Sequence, residues 1–321
     1  MPNSATSTPA SASPGEPATP PPSRDGGRWL TRRRLIVAGT AALGLSGAAV
    51  AVALGTPGPK PPAADAAAEL YEQVLPEKGV NTGVAFGDAL QKVIAAGALD
   101  PEKLRARGVP RWVEWLLTEP SPAPIVFTRA RAPYLVNLLW PIGLSNRAVF
   151  NRRSPINTAG LRGFASTGGW TLGRAPSGHV YFNTVDAVPL TDRQAFLALA
   201  VATNTFRPCC DNSTFFQDCN HGSALLGLIE LAVSQGATAD AAYRIALAAN
   251  SYWFPGQYVR TAQYFSVFEN RAWRRVPASR VLSATYSSIS GWRQHVEAPL
   301  RQAMVALPAD PRTGGQAGCG V

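Results

Sequence analysis

Fifteen residues near the middle of the chain, GSALLGLIELAVSQG (222–236), constrain its fold more than any other segment. Their spacing predicts a helix that is apolar on nearly every face, with Glu230 as its one charge and Gly236 placed to end it. A helix without a polar face has to be covered on all sides, so other elements must wrap it. With 321 residues and 46% hydrophobic content, the chain has enough apolar surface to build such a core.

The flanking segments read as helices too. They are AAAELYEQVL (66–75), VAFGDALQKVIAAGAL (84–99), RWVEWLL (111–117), YLVNLLW (134–140, closed by Pro141), LTDRQAFLALAVATNT (190–205), ADAAYRIALAANSYW (239–253), QYVRTAQYFSVFE (257–269) and SGWRQHVEAPLRQAMVAL (290–307). Asp100-Pro101-Glu102 opens a further short helix ending near Gly108, with a capping side chain followed by Pro at the first helical position. Thr191 is placed as the N-cap of the segment at 190–205. The stretch 151–189 is rich in Gly, Asn, Ser and Pro, and GHVYFNTV (178–185) is its one strand candidate. The expected architecture is mainly α: one helical domain over 67–308 with a buried central helix, an irregular Gly/Asn/Pro-rich insertion at 151–189 and a flexible tail at 309–321.

The N-terminus does not belong to that core. Residues 1–27 are largely Pro, Ser, Ala, Thr and Gly, and such a segment has too little apolar surface to offset its conformational entropy. Arg28, Arg32, Arg33 and Arg34 then precede twenty uncharged residues, Leu35 to Leu54, and a small-residue run in which Ala64 and Ala66 form an A-x-A site. Residues 28–66 thus have the three-part layout of an export signal. TRRRLI, with Arg32 and Arg33, resembles the twin-arginine signal, whose arginine pair follows Ser or Thr and precedes apolar residues. The resemblance is confined to roughly a tenth of the chain. It implies passage through the export machinery in folded form, often with a cofactor already inserted. Twenty apolar residues can also just span a bilayer as an uncleaved anchor. Either reading expects residues 67–321 beyond the cytoplasmic membrane, in the cell envelope.

Residues 1–60 carry six basic and two acidic side chains, and the remaining 24 basic and 18 acidic leave +6 where the whole chain has +10. After Lys103 every basic residue is Arg. These arginines are scattered singly and not striped, so the expectation is no nucleic-acid partner.

Chemistry concentrates in RPCCDNSTFFQDCNHG (207–222), which holds three of the four cysteines and one of the three histidines. Cys209, Cys210, Cys219 and His221 form a Cys-Cys-x8-Cys-x-His pattern. Its last members sit at the start of the central helix, where free N–H groups and the helix dipole favour a thiolate. Three readings fit. Two sulfurs and an imidazole suit a transition metal such as zinc, copper or iron, although adjacent Cys209 and Cys210 rarely reach one ion together. Outside the cytoplasm, Cys209 or Cys210 bonded to Cys219 would close a loop of about ten residues, stabilising by about 2–3 kcal/mol, with Cys319 able to pair with the cysteine left over. A thiol nucleophile would use His221 as base and Asn220 or Asp218 as orienter.

The leading expectation is a Cys/His metal site serving metal handling or redox chemistry. A disulfide-stapled scaffold without catalysis and a thiol-dependent enzyme are the alternatives. Asp211 and Asp218 flank the cysteines as candidates to orient a ligating histidine, and His179 or His295 could complete a site from a distance. Glu230 must be neutral, paired or a ligand. It lies nine residues beyond His221, about half a turn out of phase on a helix.

Overall fold

The computed structural model describes residues 64–168 and 172–310, which belong to one compact unit. The segments at 1–27, most of 28–66, and 311–321 with Cys319 lie outside the described residues, as do the twin-arginine pair and the apolar run. Among the described residues no helix is long and apolar enough to cross a membrane.

The fold is mainly helical, and its axis is α7 (Asn220–Ser234), in which every residue from His221 to Val233 is buried. Its end matches the expectation. Gly236 has φ of +92°, its N–H bonds Val233 O at 3.0 Å, and Ala237 N–H bonds Ala232 O at 3.0 Å. That paired closure satisfies orphan carbonyls through a left-handed glycine. Gln194 Nε2, from α6 (Asp192–Thr203), donates to Val233 O and Ser234 O at 3.2 Å each. Thr191 caps α6 in a reciprocal box with Gln194.

Helix α5 (Ala132–Ser145) lies directly against α7. The two backbones approach where Gly143 faces Gly227: a Cβ on Gly143 would meet Ser223 O at 1.8 Å, and one on Gly227 would meet Gly143 N at 2.7 Å. Only glycine permits that approach. Pro141 does not close α5 as its sequence suggests but sits inside it. Burial on nearly all sides outweighs the one backbone hydrogen bond that Pro removes. Helices α8 (Ala239–Trp253) and α9 (Pro255–Glu269) complete the wrapping, with Thr238 capping α8 and Pro255 opening α9.

Three further expectations need correction. The segment 84–99 is not one helix: Val80–Gly87 forms strand β1, and α2 (Ala89–Ala95) follows. Alternate burial of Val84 and Phe86 marks the strand, and Gly87 at φ +56° ends it. Its antiparallel partner β2 (Ser121–Phe127) contains Pro122 and Pro124 and has no strand signature. The strand expected at 178–185 is instead a 3₁₀ turn at Gly178–Tyr181, because Asn183 turns left-handed at φ +59°; only Val185 bridges to Asn146. The helix expected at 290–307 is continuous but shorter, running over 289–302 as α12 (Ile289–Trp292), a π turn at Arg293–Glu297 and α13 (Ala298–Gln302). Pro299 cannot donate the hydrogen bond that would carry a regular helix through it.

Helix α1 (Ala64–Val74) falls where 66–75 was expected and begins at the A-x-A pair, whereas the short helices α10 (Ala278–Val281) and α11 (Ala284–Ser287), which precede α12, have no signature in the pattern. Helices α3 (Pro101–Arg105) and α4 (Arg111–Thr118) fall where expected, with the Asp100 side chain accepting from Glu102 N–H at 3.1 Å.

The insertion at 151–189 is irregular, as expected, and it cradles the cysteine loop. Ser154 Oγ donates to Phe215 O at 2.9 Å, Gln217 Nε2 donates to Asn151 Oδ1 at 3.1 Å, and Ser166 bonds the loop backbone at both Gln217 and Asp218. Phe164 packs edge-on to Phe216 at 5.2 Å. The loop is thereby tied to a rigid frame on one side.

Candidate metal centre

The loop between α6 and α7 returns its two ends to one place. Cys219 is the N-cap of α7, and its Sγ accepts from Gly222 N–H at 3.3 Å. A thiolate accepts the exposed N–H groups of a helix start better than a neutral thiol does, and that position favours it. Cys209 Sγ lies 3.7 Å away, at the protein surface. Cys209, Cys219 and His221 present ligand atoms within 4.8 Å of one another, and a second grouping of Cys210, Asp218 and Cys219 shares the Cys219 sulfur. The three described cysteines are free thiols.

The residue that organises this cluster is Arg207, which sequence reasoning passed over. Its side chain is fully buried. Nε donates to Cys219 Sγ at 3.1 Å, Nη1 to Asn212 O at 3.1 Å, and Nη2 to Phe216 O at 3.3 Å and to the Asp218 carboxylate. The guanidinium lies flat on the first turn of α7, where a Cβ on Gly222 would meet Nη2 at 2.5 Å. Arg207, Asp218 and Cys219 therefore form a hydrogen-bonded set at the positive end of a buried helix, with Asn212 Nδ2 holding the other Asp218 oxygen at 2.9 Å. A signal was available: Arg207 is the sole Lys or Arg in 207–222, among three sulfurs and two carboxylates.

The electrostatics divide the thiols. Hydrogen bonds from Cys209 and Cys210 hold Cys219 well below its ordinary value against the opposing effect of burial, aided by Arg207 and a hydrogen bond from His221. Cys209 is pushed up chiefly by its hydrogen bonds to Cys210 and Cys219, so it keeps its proton. For Cys210, the Cys209 hydrogen bond lowers the value, but the Cys219 bond and burial outweigh it, and it is pushed up to about 11. Arg207 stays charged: burial disfavours its charge, and the facing sulfurs and Asp218 more than compensate.

The other candidates fall into place around this set. The His221 ring is buried against Phe254 at 4.8 Å and Trp253 at 5.6 Å, while its backbone N–H bonds Asn220 Oδ1 at 3.0 Å. Asn220 thus braces the helix start. Asp218 holds Arg207, not a histidine. Asp211 bonds Ser290 N and Oγ at 2.8 and 2.7 Å, so it fastens the loop to α12, as does Ile289 N–H to Cys210 O at 3.0 Å. Neither His179 nor His295 is grouped with the cysteines among the described residues. Glu230 lies roughly 13 Å further along the helix axis. Neither of its carboxyl oxygens has a hydrogen-bond partner, and burial holds it well above the ordinary carboxylate value although Asn146 pulls the other way. It is a neutral core residue.

No family model, curated protein or solved structure matches the chain. The arrangement itself supports two chemistries. Two sulfurs and an imidazole nitrogen can hold a soft or borderline transition metal. A thiolate 3.7 Å from a thiol can also enter thiol–disulfide exchange.

Proposed function

We propose that this is an exported cell-envelope protein whose Cys209, Cys219 and His221 hold a transition metal ion, for metal handling or redox chemistry. One observation carries the reading: two sulfurs and an imidazole converge within 4.8 Å at the start of the buried helix α7. Arg207 and the Gly222 N–H support it by orienting the Cys219 sulfur, the work that outer partners do for metal ligands. On binding, Cys219 already supplies a thiolate while Cys209 surrenders a proton. Export rests on the arginine pair at Arg32 and Arg33 and the apolar run behind it, and the partners inferred from it are the export machinery and the cytoplasmic membrane.

Full-length protein purified from its own cells without chelator, analysed for metals and free thiols on one sample, tests the reading. Near-stoichiometric metal, with thiols reactive only after chelation, is expected. No metal and no free thiols would instead make the loop a disulfide staple. Replacing Arg32 and Arg33 together by Lys should leave the protein in the cytoplasm.

A second reading is favoured by the 3.7 Å spacing of the Cys209 and Cys219 sulfurs. There the Cys219 thiolate attacks a disulfide partner, expels a thiolate, and Cys209 resolves the mixed disulfide. A single cysteine reacting with iodoacetamide far faster than free thiol, in metal-free protein, would mark it.

A further inference from the structure

The donor set also narrows the ion, a step that rests on the metal reading above. Cys209, Cys219 and His221 provide three ligand atoms, two of them soft sulfurs. A structural zinc site closes with four protein ligands. Among the described residues, the remaining groups within reach of these sulfurs are Cys210 and Asp218, which are grouped with Cys219 and not with His221. Asp218 is not free to ligate, because one oxygen holds Arg207 and the other accepts from Asn212 Nδ2. Cys210 Sγ bonds Cys219 but faces Asp218 Oδ1 at 3.8 Å and Asn212 O at 3.9 Å, and it is not grouped with the His221 ring. The fourth corner of a tetrahedron is therefore not assembled.

A three-ligand zinc with an open position is the arrangement of catalytic sites, many of which add a carboxylate as acid or base. Here Asp218 and Asp211 are both committed, and Glu230 sits in the core. Arg207 adds a second bias. Its guanidinium donates to the Cys219 sulfur at 3.1 Å, and a fixed positive charge at a ligand repels a dication about twice as strongly as a monocation. Finally, the ligands differ in depth: Cys209 is exposed, Cys219 is half-buried and His221 is buried.

We propose that this site takes copper(I) in preference to zinc(II) and handles it as cargo, with exposed Cys209 as the ligand through which the ion enters and leaves. Copper(I) is soft, monovalent and selected by thiolate donors. Binding forms the copper–sulfur bond at Cys209 and releases its thiol proton; departure to a thiol-bearing acceptor returns that proton. No electron moves in either direction.

The test is an anaerobic titration of the full-length chain with copper(I) buffered by a chromophoric chelator, and with zinc(II) in parallel. One copper(I) per chain is expected, retained against about a hundredfold excess of zinc(II). Cys209→Ser, at the surface, should lower copper(I) affinity by more than the roughly 10–100-fold that loss of an outer partner costs. His221→Ala should lower it as well, with circular dichroism confirming that both variants fold. Zinc(II) held against copper(I) would overturn this inference and leave the metal reading standing. Folded chain that binds neither ion would overturn both. Copper(I) binding untouched by Cys209→Ser would overturn the role of Cys209 as the entry ligand.

Discussion

Cys219, the half-buried N-cap of helix α7, and Glu230, buried in its interior, are treated by the protein in opposite ways. At the N-cap of α7 the Cys219 thiol is held well below its ordinary value by hydrogen bonds from Cys209 and Cys210 and, after them, by Arg207, and its sulfur accepts from the Gly222 N–H. In its interior Glu230 has no hydrogen-bond partner for either oxygen and stays protonated. Burying a charge is expensive unless it is paired and hydrogen-bonded. A charge given a dedicated buried arginine has been kept ionised, whereas a carboxyl left alone has been neutralised. The first is a built site and the second a core residue, although the bare sequence offers both as acidic or thiol side chains on one helix.

The largest effect should come from removing the support itself. Arg207→Met leaves Asp218 and Cys219 without their cation, and loss of about 3–5 kcal/mol in urea denaturation is expected, as for other broken buried pairs. A loss below about 1 kcal/mol would mean the cluster does not need its arginine. Next is the framework beneath both groups. Gly143→Ala drives a methyl into Ser223 O, and about 3 kcal/mol, the upper range for overpacking, is expected in the same assay.

The unpartnered group should respond in the other direction. Glu230→Met removes a buried, unbonded carboxyl and should stabilise the protein by about 1–3 kcal/mol at pH 7. The folded carboxyl titrates above its ordinary value of 4.5, so the wild-type side chain is least unfavourable below that pH and loses stability as pH rises. The gain from Met should therefore grow between pH 4 and pH 8; a gain independent of pH would mean that Glu230 does not titrate with folding. Smallest is Asp211→Ala. It cuts the two bonds to Ser290 at an exposed edge, so stability should fall by no more than about 1 kcal/mol and metal content should not change.

Much of the frame was legible. Helices α6 to α9 are long and periodic, and their ends carry local chemistry: the Thr191 box, the Thr238 cap and the left-handed Gly236. What failed was short or overridden. Val84 and Phe86 are spaced as in a strand, but two residues are too few to show the alternation beside the helical run that follows, and two prolines hide β2. Pro141 is a helix breaker by local rule, but its burial within α5 overrides that rule. Of the site, the cysteines and His221 were plain because their residue types are rare in this chain. The division of Cys209 and Cys210 between two groupings was not, because it depends on which way each sulfur points. Arg207 was passed over for a different reason: a lone loop arginine among sulfurs and carboxylates is only a faint signal, and its importance comes from burial.

The most direct measurement sets the two ends of α7 against each other: metal content per chain of full-length protein purified without chelator, for wild type, His221→Ala and Glu230→Gln. Wild type and Glu230→Gln should each carry close to one transition-metal ion, and His221→Ala should carry almost none. Equal metal in all three, or no metal in wild type with Cys209 and Cys219 joined, would contradict the assignment of the built site as a metal centre.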